Sequence, residues 1–174
     1  MPAASTIVAI CALFVAIVSL VASIYFSWCA RDHNRRSVTP LPFVLQSDFE
    51  DRIAVAIRNN GTGPMILHSV QAKIPPDDRS GHLIDLIPVP PPGLLFSNFN
   101  KIHQTRAIRP GDQVDLIDLP VHVGDPIAVA YRDELRKTLG HTTLELTYTD
   151  IYDTNFPVYA IKLGWFHRHP SVSA

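Results

Sequence analysis

Residues 6–30 read TIVAICALFVAIVSLVASIYFSWCA, without one charged side chain. At about 1.5 Å of rise per residue, such a run crosses a hydrocarbon core of roughly 30 Å with some tilt. The pattern predicts a transmembrane helix over 6–30, behind a short flank of residues 1–5 and ahead of a polar juxtamembrane linker over 31–40. Beyond residue 40 the apolar positions recur every second residue. Strands are expected over 41–46, over 52–58 with Ile53, Val55 and Ile57 opposite Ala54 and Ala56, and over 65–74 with Ile66, His68, Val70, Ala72 and Ile74 on one face. Between the last two, Asn59-Asn60-Gly61-Thr62-Gly63-Pro64 is turn chemistry that supplies positive φ at low cost.

Prolines then dominate: Pro75, Pro76, Pro88, Pro90, Pro91 and Pro92 exclude a central strand and favour polyproline II, with room for a short edge strand over 83–87. Pro88-Val89-Pro90-Pro91 could meet an aromatic groove but has no basic flank, so a long loop is expected, packed down by Leu94, Leu95, Phe96 and Phe99. Strands over 102–108 and 113–119 flank the turn Arg109-Pro110-Gly111-Asp112. Val114, Leu116 and Asp118 would share one face of the second, with Ile117 and Leu119 on the other. A helix follows, capped by Asp125, started by Pro126 and ended by Gly140, with Ile127, Tyr131, Leu135 and Leu139 as its buried stripe and Asp133–Lys137 as an i,i+4 pair. Residues 142–149 alternate cleanly and pair back with 156–163 as a hairpin. From Trp165 onward a short polar tail is expected, with residues 167–174 outside the domain.

Composition agrees with short strands: fifteen prolines, eight glycines and many β-branched residues. The expected fold is mainly β, a transmembrane helix followed by an antiparallel immunoglobulin-like β-sandwich over 41–166 with one inserted helix. All 15 Lys and Arg and all 16 Asp and Glu lie beyond residue 30. That nearly neutral balance argues against a nucleic-acid partner, which needs a clustered basic face. Both cysteines, Cys11 and Cys29, lie in the apolar run, so residues 31–174 can form no disulfide and no thiolate metal site.

A cleaved signal peptide would need a basic n-region and a shorter apolar stretch. A lipoprotein signal would need a small residue where Ile10 precedes Cys11 and Trp28 precedes Cys29. An uncleaved anchor fits better. Arg31, Arg35 and Arg36 follow the run, tempered by Asp32, so the N-terminus is expected outside and the domain in the cytoplasm. Tyr25 and Trp28 fall where an interfacial aromatic belt belongs. Ser5, Ala9, Ala12, Ala16, Ser19 and Ser23 recur at spacings of 4, 3, 4, 3 and 4, a seam of small residues suited to close packing against another transmembrane helix, its own copy or a partner subunit. Alanine and serine are also common in membrane helices in general.

Candidate chemistry is sparse. His167 and His169 would share a face if extended, but no third ligand follows at a recognisable spacing. His33, His68, His82, His103, His122 and His141 read as surface or edge residues. Gly61-Thr62-Gly63 lacks the lysine and helix of a P-loop, there is no Gly-x-Ser-x-Gly elbow, and Asp150 with Asp153 reads as turn chemistry. Asn60-Gly61-Thr62 is formally a glycosylation sequon, which matters only if the domain lies outside the cell. No catalytic residue, cofactor or small-molecule substrate is expected.

The stretch HNRRSVTPLPFV after the anchor, the turn IRNNGTGPMIL, the RPGD turn and YTDIYDTNFP are similar to a group of uncharacterised bacterial single-pass membrane-anchored proteins with an immunoglobulin-like domain. The resemblance spans residues 25–160 and implies the anchor-plus-sandwich architecture, without any activity. The chain departs from that pattern at Asp153, where glycine is usual. Two functions from different classes follow as expectations: a non-catalytic interaction or scaffolding module tethered to the cell membrane, or a periplasmic or extracellular sensor of inverted topology.

Overall fold

A computed structural model of the chain describes residues 2–75 and 79–168, with only the backbone described for residues 2–5. The side chain of Ser5, Pro76 and the tail from His169 to Ala174 lie outside the described residues. Two compact units emerge, Met1–Val38 and Thr39–Ala174.

The first unit is one helix, α1 (Pro2–Ser37). It runs past the expected end at residue 30 and takes in most of the expected linker. Arg31–Ser37 contains no proline or glycine to stop it, and Arg36 pairs with Asp32 one turn earlier at 3.0 Å.

The second unit holds two antiparallel sheets. In the first, β1 (Pro42–Asp48), β2 (Arg52–Asn59), β7 (Gln113–Pro120) and the two-residue β5 (Asn98–Phe99) lie in the order β1-β2-β7-β5. In the second, the order is β4-β3-β8-β9, from β4 (Arg79–Gly81), β3 (Met65–Ile74), β8 (Thr143–Thr149) and β9 (Tyr159–Lys162). The short β6 (Arg106–Ile108) pairs with the opening residues of β3. One helical turn, α2 (Leu83–Leu86), stands where an edge strand was expected. Ile87, extended ahead of Pro88, ends it. The long helix α3 (Pro126–His141) carries the chain from β7 in one sheet to β8 in the other.

Both sheets, α3 and the C-terminal segment feed a single core. Ile53, Ile57, Leu67, Ile117, Leu135, Leu144, Leu146 and Phe166 are all fully enclosed in it. Each such side chain contributes roughly 1.5–3 kcal/mol on leaving water. Phe166 corrects the expected polar tail: residues 164–168 form a 3-10 turn (Gly164–Arg168) plugged into the core by Leu163 and Phe166.

Two β-bulges redirect the strand faces. In β3 the pairing with β8 steps from Leu67–Tyr148 to Ser69–Thr147, leaving His68 as the extra residue. Met65 and Leu67 therefore point inward before the bulge, and Val70, Ala72 and Ile74 after it, while His68 is exposed. The expected single face through Ile66 and His68 is replaced by this broken one. In β7 the pairing with β2 steps from Ile117–Val55 to Asp115–Ala56, with Leu116 as the extra residue. Val114, Leu116, Ile117 and Leu119 are consequently all buried. Asp118 stays off the core and accepts from Arg52 at 2.7 Å, a hydrogen bond that raises the Arg52 pKa.

The turn after β2 is organised by the fully buried side chain of Asn59. Its carbonyl oxygen accepts from the amides of Leu41 at 3.2 Å and Gly61 at 3.0 Å. Its amide donates to the carbonyls of Gly63 at 2.8 Å and Ile108 at 3.1 Å. Every donor and both acceptor positions are used. Gly61 has no positive φ, contrary to the expectation for this turn. It must be glycine because a Cβ there would collide with the backbone of Thr39 and Leu41.

Asn59→Ala strands several buried backbone groups, each costing about 1–3 kcal/mol. The variant is expected to lower the denaturation midpoint of the detergent-solubilised chain by more than Asn60→Ala, at the exposed neighbour. Equal midpoints would remove Asn59 from this role.

Candidate functional site

The residues singled out for membrane contact lie on α1. Among the described side chains of the seam, Ala9, Ala12, Ala16, Ser19 and Ser23 are all exposed, as are Tyr25, Trp28, Arg31, Arg35 and Arg36. The helix from Thr6 to Ser37 reaches a mean hydropathy of 3.0 over its most apolar stretch, and none of that stretch is buried by the rest of the chain. It is long and apolar enough to cross a membrane. Ser23 Oγ donates to the carbonyl of Ser19 at 2.8 Å. Its proton is thus held within its own helix, which leaves close approach of backbones, rather than donation by Ser23, as what this end of the seam offers.

In the second unit the most concentrated polar chemistry is an ion cluster that sequence spacing could not reveal. Asp48, at the end of β1, is buried and receives both Nε and Nη2 of Arg136 on Oδ1, at 2.8 and 2.6 Å. Arg136 Nη1 reaches Asp133 at 2.7 Å. Arg132 donates to the Glu50 carbonyl at 2.7 Å, and Arg168 to the Asp48 carbonyl at 3.0 Å. Asp133 is thus held by arginines on its own helix, in place of the expected Lys137. The cluster joins the β1–β2 turn, α3 and the C-terminal turn, with 88 and 120 residues separating Asp48 from its two arginines. The arrangement is that of a structural junction, with Asp48 taking both Arg136 nitrogens on Oδ1 and Asp133 held by Arg132 and Arg136.

The helix stripe is corrected in one place. Tyr131, Leu135 and Leu139 are buried as expected, but Ile127 is 63 % exposed and Ala128 takes its place. Asp125 caps the helix by accepting from the amide of Ile127 at 2.9 Å. Gly140 lies one residue before the helix end, at His141. A side chain on it would meet the ring of His167, which packs edge-on against His141 at 4.5 Å. His82 and His103 form a similar edge-on pair at 4.3 Å. No group of three or more His, Cys, Asp or Glu that could hold a metal assembles among the described residues. Asp150 is buried and accepts from the amides of Tyr152 and Thr154 at 2.8 and 2.9 Å, so it closes the hairpin turn. Asp153 sits in the left-handed region with φ of 56° where glycine would fit without strain.

The proline-rich loop packs down through Leu94 and Phe96, but Leu95 and Phe99 stay exposed. Two open clefts flank it, one of about 380 Å³ lined by Ile84, Ile87, Pro88 and Phe96, the other of about 420 Å³ bounded by Leu94, His122 and Asp125. Tyr131 ties the loop down by donating to the Pro88 carbonyl at 2.7 Å. Burial, then the nearby Glu134 carboxylate, raises the Tyr131 pKa to about 12.

Because the Tyr131 phenol ionises later when folded than when unfolded, its contribution to stability is complete below pH 10 and is lost as pH rises from 10 toward about 12. Tyr131→Phe is expected to flatten that part of a stability–pH profile. Arg136→Ala should cost about 3–5 kcal/mol by leaving the Asp48 carboxylate buried without its arginine, whereas the double change Asp48→Leu with Arg136→Met should recover most of the loss. Denaturant titration of all three chains checks both.

Compared with known proteins, the chain matches no family model and no curated protein at a significant level.

Proposed function

We propose that this chain is a single-pass membrane protein, anchored by residues 6–30, whose tethered domain acts as a non-catalytic interaction or scaffolding module. The observation that carries the reading is α1: it contains a charge-free stretch long enough to span a bilayer, the most apolar part of which is not buried by the rest of the chain, and it is followed by a separately compact unit. Positive charge at Arg31, Arg35 and Arg36 favours an N-terminus outside and a domain in the cytoplasm. The small-residue seam supports packing against a second transmembrane helix, from another copy or from a partner subunit. The non-catalytic part rests on the sequence, which has no nucleophile elbow and no cysteine beyond residue 30.

An immunoglobulin-like sandwich is the finer fold reading. Its support is the strand order: β1-β2-β7-β5 follows the A-B-E-D order of such domains, and β4-β3-β8-β9 follows C′-C-F-G. On that correspondence, β2 and β8 occupy the places of the strands that a disulfide commonly joins, and here Val55, Leu144 and Leu146 fill them with aliphatic packing. Domains of this shape recognise partners by loops or by pairing along an edge strand, and β1 and β9 are the long edges available here.

Ala12→Ile with Ala16→Ile is expected to weaken self-association or partner association in membranes, read by crosslinking in native membranes; unchanged association would remove the seam from the proposal. Labelling of Ser80→Cys, an exposed position, in intact cells tests direction: protection supports a cytoplasmic domain, and reaction with an impermeant reagent supports the inverted sensor.

A further inference from the structure

The strand register sorts the loops of the second unit into two ends. Pro42 pairs with Asn59, Arg58 with Gln113, Met65 with Ile108 and Ile66 with Thr149, so one end carries residues 39–41, 60–64, 109–112 and the β8–β9 turn over 150–158. Arg52 pairs with Pro120 and Lys73 with Thr143, which places residues 49–51 and 121–125 at the opposite end. The β2 strand between them, eight residues long, separates the ends by about 27 Å.

The first end is the one through which the chain arrives from α1, with only Val38 between Ser37 and Thr39. With residues 6–30 in the hydrocarbon, residues 31–38 are the whole tether, at most about 28 Å of chain even if fully drawn out and about 12 Å as helix. Covalent connection alone therefore keeps this end within about 28 Å of the hydrocarbon boundary, and within about 12 Å while residues 31–37 stay helical.

The side chains at this end suit that position. Leu41, Ile151, Tyr152 and Val158 are apolar or amphipathic and exposed by 43 to 59 %. The last three project from one hairpin turn that Asp150 makes rigid. Exposed cations here are Arg58, Arg106 and Arg109, against Asp112 and Asp153. The tether contributes Arg31, Arg35 and Arg36 against Asp32. Exposed apolar residues also occur at the far end, as Phe49 and Val123, so exposure alone does not distinguish the two. The exposed charges there are Glu50, Asp51, Asp125 and Glu134 against Arg52, Arg79, Lys137, Lys162 and Arg168, so charge does not distinguish the ends either, and what singles out the first end is the short tether. Apolar residues and a tyrosine rimmed by arginine are the composition that settles into the boundary between anionic headgroups and acyl chains.

We infer that the domain docks on the surface of the membrane that holds its own anchor, with the 150–158 turn seated among the lipid headgroups. This inference rests on the membrane-anchored reading and extends it: the domain lies down on the bilayer and presents its far end, with α3 and the proline-rich loop, to the aqueous side.

The test uses the full chain reconstituted in phosphatidylcholine vesicles containing phosphatidylglycerol, with nitroxide labels and collision with oxygen against a water-soluble nickel chelate as readout. A label on native Cys11, in a Cys29→Ala chain, reports the span. Labels at Ile151→Cys, Val158→Cys and Val123→Cys, each with Cys11→Ala and Cys29→Ala, report the two ends. The expected result is oxygen-dominated collision at 11, a several-fold shift from nickel toward oxygen at 151 and 158, and nickel-dominated collision at 123. A lipid-like signal at 11 with 151 and 158 as water-exposed as 123 overturns the docking and leaves the anchor standing. A water-like signal at 11 overturns both.

Discussion

The second unit depends on one buried amide. Asn59 closes β2 with its side chain bonded to Leu41, Gly61, Gly63 and Ile108, and its backbone bonded to Asp112 and Gly111. Those partners belong to the start of β1, the turn into β3, the end of β6 and the turn before β7. One residue therefore sets where four segments meet, and it does so without exposing an unmet donor or acceptor. The fit is close enough that Gly61 has no room for a Cβ against the Thr39–Leu41 backbone. This junction also fixes where the chain leaves the anchor and enters the sheets.

The opposite end is held differently. There the buried Asp48 and the arginines of α3 and the C-terminal turn replace backbone pairing with charge-assisted hydrogen bonds. Burial removes these groups from water at a cost that their geometry roughly offsets, so the cluster serves to define which helix face and which chain end meet the β1–β2 turn. Between the two ends, the bulges at His68 and Leu116 keep apolar residues inward as the strands twist over a shared core. The result is a compact unit with distinct ends, one continuing into the tether, the other carrying α3 and the ion cluster.

That polarity gives the anchor a second meaning. A helix that only retained the domain near a membrane would place no demand on the loops around residue 39. On the proposed docking, the apolar hairpin turn and the arginines beside it would meet lipid, and the α3 end and the proline-rich loop would face water.

Local patterns were enough for the elements whose cause is local. The charge-free run of residues 6–30, the alternation of β2 and β8, the Asp125 cap and the Tyr131–Leu135–Leu139 stripe could be read directly, because hydrophobic period and capping act over a few residues. So could the turn at 59–64, though for the wrong reason: its glycine answers to the Thr39–Leu41 backbone packed against it rather than to its own φ. Only the tertiary structure decided the faces of β3 and β7, since an inserted residue inverts a period of two. It also decided the exposure of Ile127 and the burial of Phe166, along with the union of Asp48 with Arg136 and Arg168 across 88 and 120 residues. These depend on which distant surfaces meet, and no spacing along the chain encodes that.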